Sequence, residues 1–223
     1  MIQSKKMELK DQAYDYLVNM ILDGTLKPGD KISETRIAQE FNTSRTPVRE
    51  AMQELTNSGI LNSSPNKAPT VAQWSDDDIL QLEVLRTDLE NLAAKLAIIY
   101  GSNDDFMTMH TYSKSCYEYG IARDICDLLR ADAAFHMQIA KIARNRQLYH
   151  FLDDVHKQVM FLLCWRKDFL ISTEKQYKQH EEIISAFLER DEAKVLQLLT
   201  HHNRHAFNVD DSNHFTADFF KRG

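Results

Sequence analysis

Three cysteines, four prolines and six glycines are few for 223 residues. Cys116, Cys126 and Cys164 are widely spaced and form no tight motif, so a disulfide scaffold is excluded and free thiols in a reducing cytoplasm are the natural reading. The scarcity of glycine and proline argues against a turn-rich β architecture and for helices. No uninterrupted apolar run approaches the ~18 residues that span a bilayer. The opening MIQSKKMELKDQ has lysines but no apolar core behind them, so neither a secretory signal nor a membrane association is expected. There is no excess of positive charge either: the net charge is −6, which excludes a general nucleic-acid coat. That imbalance is uneven. Residues 1–74 carry nine Lys/Arg and nine Asp/Glu, whereas residues 75–223 carry 18 and 24. A neutral segment can still bind DNA if its cations gather on one face.

The chain is long enough for two small domains. The expected division is 1–74 and 75–223, with the proline-containing stretch NSSPNKAPTVAQW at its boundary. In the first part, Tyr14, Leu17, Val18, Ile21 and Leu22 repeat at helical spacing, and Gly24 ends the run. Ser33 is placed to cap a short helix over 34–41. Ser44 is placed to cap another that runs to about Asn57, with Pro47 in its first turn and Gly59 closing it. Ile60-Leu61 and Thr70-Val71-Ala72 predict a small hairpin. The fold class expected is mainly α: a winged helix-turn-helix followed by an antiparallel bundle of six or seven helices. Helices are placed over 76–100, 103–120, 124–143, 146–169, 173–189 and 192–208. In the first of these, Ile79, Leu82, Leu85, Leu89, Leu92, Ala93 and Leu96 are expected to form the inward face.

The chemistry of the first part sits in Ser44-Arg45-Thr46-Pro47-Val48-Arg49. Arg45 and Arg49 are four apart and share a face near the helix start, where a recognition helix enters the major groove. Guanidinium forks there can take guanine O6 and N7 or clamp phosphates, and Ser44 and Thr46 can donate to phosphate. Arg36 can reach the backbone or a base edge, and Lys67 stands at the hairpin tip. The competing reading is two solvated surface arginines. The run LKPGDKISETRIAQEFNTSRTPVREAMQELTNSGIL resembles the N-terminal domain of the GntR superfamily of regulators. That resemblance implies a homodimer on a short palindromic operator in double-stranded DNA, with Arg36, Arg45, Thr46 and Arg49 as contacts. The wing departs from the family, because Lys67-Ala68-Pro69 stands where an Arg-Gly pair is frequent.

In the second part, Asp132 and His136 are four apart and share a helix face, while His180 and His202 lie on later helices. Three imidazoles and a carboxylate suit zinc, nickel, manganese or iron(II). Spacing alone leaves helix decoration open. Residues 79–208 are similar to the sensor domain of the FadR-like branch of the same superfamily. This resemblance rests on Leu85-Arg86, Leu89-Glu90, Ala93-Ala94, Asp132 to His136, Asn145, His180, Ala186, Asp191 and His202. It implies that Asp132, His136, His180 and His202 hold a divalent metal, with His201 a competitor for His202. It also implies that Arg86 faces a cavity for a small organic acid, the alternative being a surface ion pair with Glu83 or Glu90. Asn145 is expected either to bond that effector or to cap a helix. Gln179 departs from the glutamate usual before the third ligand, with little effect expected on coordination. The function expected is a cytoplasmic DNA-binding regulator controlled by a carboxylate effector near a divalent metal. A metalloregulator without an organic effector and a metal-dependent hydrolase are the alternatives.

Overall fold

The computed structural model of the chain describes residues 8–65, 67–165 and 172–206. The chain divides into two compact units, Met1–Ser75 and Asp76–Gly223.

The first unit is built from α1 (Leu9–Leu22), α2 (Glu34–Glu40), α3 (Arg45–Asn57), β1 (Leu61–Asn62) and β2 (Thr70–Val71). Leu17, Ile21, Val48, Ala51 and Leu55 are buried between α1 and α3. Ser33 caps α2 by accepting the Arg36 N–H at 3.3 Å. Ser44 is the N-cap residue of α3 by backbone geometry, but its side chain makes no capping bond. At the other end of α3, Gly59 takes φ +74°, which an L side chain resists. Ile60 N then bonds to Leu55 O and Gly59 N to Thr56 O, so two orphan carbonyls are satisfied as in a Schellman motif. The chain leaves directly into β1, which pairs antiparallel with β2 in the register Leu61↔Val71 and Asn62↔Thr70. Lys31 bridges to Thr70, so a third extended segment lies beside the hairpin.

The second unit holds seven helices among the described residues. They are α4 (Asp76–Tyr100), α5 (Asn103–Met107), α6 (Met109–Ala122), α7 (Ile125–Ile142), α8 (Arg146–Trp165), α9 (Thr173–Glu189) and α10 (Glu192–Ala206). A single helix over 103–120 is not what forms. The chain breaks at Thr108, whose hydroxyl bonds back to Asp105 O at 2.6 Å and also accepts from Gln138 Nε2 at 2.8 Å. A side chain that satisfies a local carbonyl competes with the helix ladder. The last residues expected in α8 and α10 (166–169 and 207–208) lie outside the described residues.

Phe106, Phe135, Ile139, Ile183, Phe187, Val195 and Leu199 form the core of this unit. One expectation fails here. Leu85 and Leu92 of α4 are 49% and 45% exposed, while Glu83, Arg86 and Glu90 are buried. The inward line runs through Ile79, Leu82, Arg86, Glu90, Ala93 and Ala97, which is helical spacing with two charged members. Ile79, Leu82 and Ala93 do face inward and Leu89 and Leu96 pack against the core, so only Leu85 and Leu92 lie off the expected face, and the charged pair is turned inward because its partners are there.

Candidate DNA-reading face and candidate metal centre

Arg45 and Arg49 both project from the first turns of α3 and both are exposed. Ser44, Thr46 and Lys67 are exposed as well, Lys67 in the turn between the strands. The arginines differ in company. Arg49 forks onto Glu34, with Nε at 3.2 and 3.3 Å from the two carboxylate oxygens and Nη2 at 3.0 Å. Arg36 donates from Nε to Glu40 at 2.8 Å, and the Tyr16 hydroxyl donates to the other Glu40 oxygen at 2.9 Å. Those two bonds hold the Glu40 carboxyl below its ordinary range. Among the described residues, Arg45 has no such carboxylate.

In the second unit, α7 carries Asp132 and His136 one turn apart, α9 carries His180, and α10 carries His202. All four are buried, and one donor atom from each lies within 4.8 Å of the others. His136 Nε2 is 3.3 Å from His202 Nε2, and His180 Nε2 is 3.4 Å from His202 Nε2. Asp132 Oδ1 is 3.3 Å from His180 Nε2, and Oδ2 is 3.9 Å from His136 Nε2. Ligands about 2.1 Å from a tetrahedral ion stand about 3.4 Å apart, so this set fits a divalent metal.

The outer nitrogens set which face each ring presents. His136 Nδ1 is 3.0 Å from Glu90 Oε2, and an ionised carboxylate only accepts, so this nitrogen carries the proton. His136 Nε2 is therefore a lone pair, and Arg86 Nη2 donates to it at 3.1 Å. His202 Nδ1 is 3.1 Å from the amide oxygen of Gln179, which presents the His202 Nε2 lone pair in the same way. His180 differs: its Nδ1 is buried with no hydrogen-bond partner, and its ring stacks on Phe135 at 3.9 Å. His136 Nε2 and His202 Nε2 face each other at 3.3 Å, and in this structure the cation beside them is the Arg86 guanidinium.

Glu90 is the hub of the surrounding network. It receives Arg86 Nε at 2.8 Å and Asn203 Nδ2 at 2.9 Å, and His156 Nε2 lies 3.0 Å from it in ion-pair range. Burial pushes the Glu90 carboxyl up, but His136, Arg86 and His156 outweigh it and hold it well below the usual range. Asp132 follows the same logic: burial opposes ionisation, and the hydrogen bond with His180 and the nearby imidazoles prevail. Burial lowers His156, His180 and His202, and for His202 the neighbouring imidazoles add to it. Gln176 Nε2 donates to Asp132 Oδ1 at 2.7 Å and fixes that carboxylate.

Residues 9–71 match the bacterial regulatory proteins of the gntR family, and residues 81–205 match the FCD domain. The chain belongs to the gntR family, with an FCD domain. It is similar to the HTH-type transcriptional regulator YdhC of Bacillus subtilis, 27% identical over 86% of this chain and 87% of that one. It is also similar to the probable D-xylose utilization operon transcriptional repressor of Paenarthrobacter nicotinovorans, 28% identical over 86% and 84%. The fold matches that of Escherichia coli McbR/YncC, with TM-score 0.77 at 19% identity over 92% of this chain and 97% of that chain. A GntR regulator from Rhodococcus sp. RHA1 matches with TM-score 0.72 at 21% identity, over 90% and 96%. Families and relatives alike are transcriptional regulators rather than enzymes, and this gntR-family chain is a DNA-binding transcriptional regulator. Among its described residues, no helix is long and apolar enough to cross a membrane.

The residues singled out in the sequence of this regulator are therefore spread over three settings. Asp132, His136, His180 and His202 come together, and His201 is exposed where His202 is buried. Arg86 is fully buried beside them and pairs with Glu90, so the ion pair exists but in the interior rather than on the surface. Asn145 is exposed and its Oδ1 accepts from Leu148 N at 3.1 Å, which is the capping role at the start of α8. Gln179, noted only as a departure, turns out to touch a candidate ligand. His156, Asn203 and Gln176 went unread. Each carried a signal: a polar residue four positions from Leu152, Leu199 or His180 on an otherwise buried stripe.

Proposed function

We propose that this gntR-family regulator is a homodimer that binds a palindromic operator through α3. In this reading its operator affinity is set by a small carboxylate held near a divalent metal in the FCD domain. The observation that carries the reading is the convergence of three imidazole Nε2 atoms and one carboxylate at tetrahedral spacings, beside a buried arginine. Asp132, His136, His180 and His202 would hold the ion, with zinc the best match to three nitrogens and one oxygen. A bound ion supplies positive charge that anchors an anionic ligand. Repressors among the relatives favour repression as the direction of control.

The chain's own residues favour an anionic effector. The Nε2 of His136 has one lone pair, which serves either Arg86 or a metal. With a metal held there, Arg86 would give up that lone pair, and its guanidinium would stand beside a second positive charge. An anion between the two offsets that repulsion, and the planar fork of arginine suits a carboxylate. Leu85, Leu92 and Ile99 of α4 are 49%, 45% and 68% exposed along one line and supply an apolar face that a second copy can cover. A ligand that prefers one state of such a dimer shifts its population by its differential affinity. A coupling of ~1–3 kcal/mol changes operator affinity roughly 5–150-fold.

The test measures metal by mass spectrometry in the purified protein and in His136→Ala, then titrates a panel of carboxylates against DNA binding. One divalent ion per chain, lost in His136→Ala, together with a carboxylate that changes operator affinity, is the expected outcome. A metal response with no carboxylate response would leave a metalloregulator without an organic effector. Equal and trace metal content in both proteins would remove the site.

A further inference from the structure

The DNA-reading face has acids where a surface facing a polyanion would be expected to have none. Glu34 opens α2 and Glu40 closes it, and each is bound to an arginine of the candidate contact set. Arg36 and Arg49 remain 71% and 66% exposed at their side chains, so these pairs are not products of burial. Nor is stability their evident role, because exposed pairs contribute little.

The geometry of each pair leaves work for the arginine. Glu34 takes Nε and Nη2 of Arg49, the side edge of the guanidinium, and leaves Nη1 at its end. Glu40 takes only Nε of Arg36, and Tyr16 from α1 fixes that carboxylate through its second oxygen. An arginine held by its side edge still offers donors for a guanine or a phosphate at a fixed place. It no longer acts as a mobile cation, because the adjoining carboxylate cancels its field. Random duplex is bound through that field and through counterion release. Operator DNA is bound through geometry as well. Tying Arg36 and Arg49 while leaving Arg45 untied therefore weakens the first mode more than the second.

We propose that Glu34 and Glu40 are specificity-determining residues of the DNA-binding face, because they hold Arg49 and Arg36 in place and subtract their charge from the attraction to random duplex. They act through the arginines and are positioning residues.

The test uses the full chain and its variants Glu34→Gln and Glu40→Gln, which keep side-chain size. Glu54→Gln serves as a control: it removes the same charge from α3, where Glu54 pairs with Lys10 at 2.7 Å. Binding to a mixed-sequence 30-base-pair duplex is followed by fluorescence anisotropy across a salt series. A second duplex, obtained by in vitro selection with the unaltered protein, serves as the specific probe. For Glu34→Gln and Glu40→Gln the expected result is roughly 3- to 10-fold tighter binding to the mixed duplex near 0.1 M salt, with a salt slope steeper by up to ~0.9. Binding to the selected duplex tightens less, so the ratio between the two probes falls, and Glu54→Gln moves neither ratio nor slope as far. The proposal is overturned if the discrimination ratio is unchanged, if Glu54→Gln matches the other two, or if selected and mixed duplex weaken together. Arg49→Lys provides an independent arm, because it keeps the charge and loses the fork. It should weaken the selected duplex while leaving the mixed duplex nearly unaffected, and equal losses on both would also overturn the proposal.

Discussion

The two units use the same chemical pair in opposite surroundings. Arg49 and Glu34 meet at 3.0 Å in water, and Arg86 and Glu90 meet at 2.8 Å with neither side chain more than 3% exposed. In water the attraction is screened and either partner can be re-solvated, so the pair can be exchanged for a phosphate or a base at little cost. In the interior neither charge can leave alone, because an unpaired buried ion has nowhere to recover its hydration. The first pair is suited to modulating an encounter. The second is suited to a site with two arrangements, since Arg86 moves only when another charge takes its place.

The largest effect that would separate the two pairs is on stability. Glu90→Ala removes the acceptor shared by Arg86, His136 and Asn203 and leaves a buried guanidinium uncompensated. A loss of about 3–5 kcal/mol is expected, read from urea unfolding of the chelated protein. Glu34→Ala should leave the unfolding midpoint where it was. Equal midpoints for the two variants would mean that water reaches Glu90 and that the contrast between the pairs is not real.

Acid should divide the units next. All nine histidines fall after residue 75, and burial lowers His156, His180 and His202 below their ordinary values. Between those lowered values and the unfolded value of about 6.5, the unfolded chain binds more protons than the folded one. Stability therefore rises with pH in that window, is fully present above about 6.5 and is lost as pH falls. Asp132 and Glu90, lowered as carboxyls, add their own loss only in the more acid range below about 4. Segment-resolved hydrogen exchange of the chelated protein from pH 7.5 to 5.5, corrected for intrinsic rates, should show protection fading in α7, α9 and α10 while α3 holds. Protection that fades equally in α3, or in neither unit, would mean that the imidazoles are not held neutral.

This contrast also explains what could be read from sequence. The first unit is written in local signals: Ser33 three residues before the amide it caps, Gly59 at the end of α3, two arginines four apart. The candidate metal set is half local, because Asp132 and His136 share a face at i and i+4, whereas His180 and His202 had only the resemblance to join them. Glu90 meets His136 across 46 residues and His156 from a further helix, and no spacing rule reports such a meeting. Worse, Leu85 and Leu92 stand at a competing phase on α4, and hydropathy favours them over a charged pair whose partners are distant. The break at Thr108 was hidden for a related reason, since a threonine hydroxyl can bond either back to its own turn or outward.

The smallest effect expected lies within the first unit, between two serines of matching position. Both precede a short helix and both have extended N-cap backbone, but only Ser33 accepts a backbone N–H, that of Arg36 at 3.3 Å. Ser33→Ala should therefore lower stability by roughly 0.5–1 kcal/mol, the lower part of the range for lost caps because the bond is long. Ser44→Ala should not change the melting temperature, since no capping bond is lost. Its hydroxyl is left available at the start of α3, beside amides that favour an anion. If it donates to a phosphate, Ser44→Ala weakens selected and mixed duplex alike by a small factor, because a phosphate contact carries no sequence information. A stability loss in Ser44→Ala equal to that in Ser33→Ala would return its hydroxyl to the helix and take it away from the DNA.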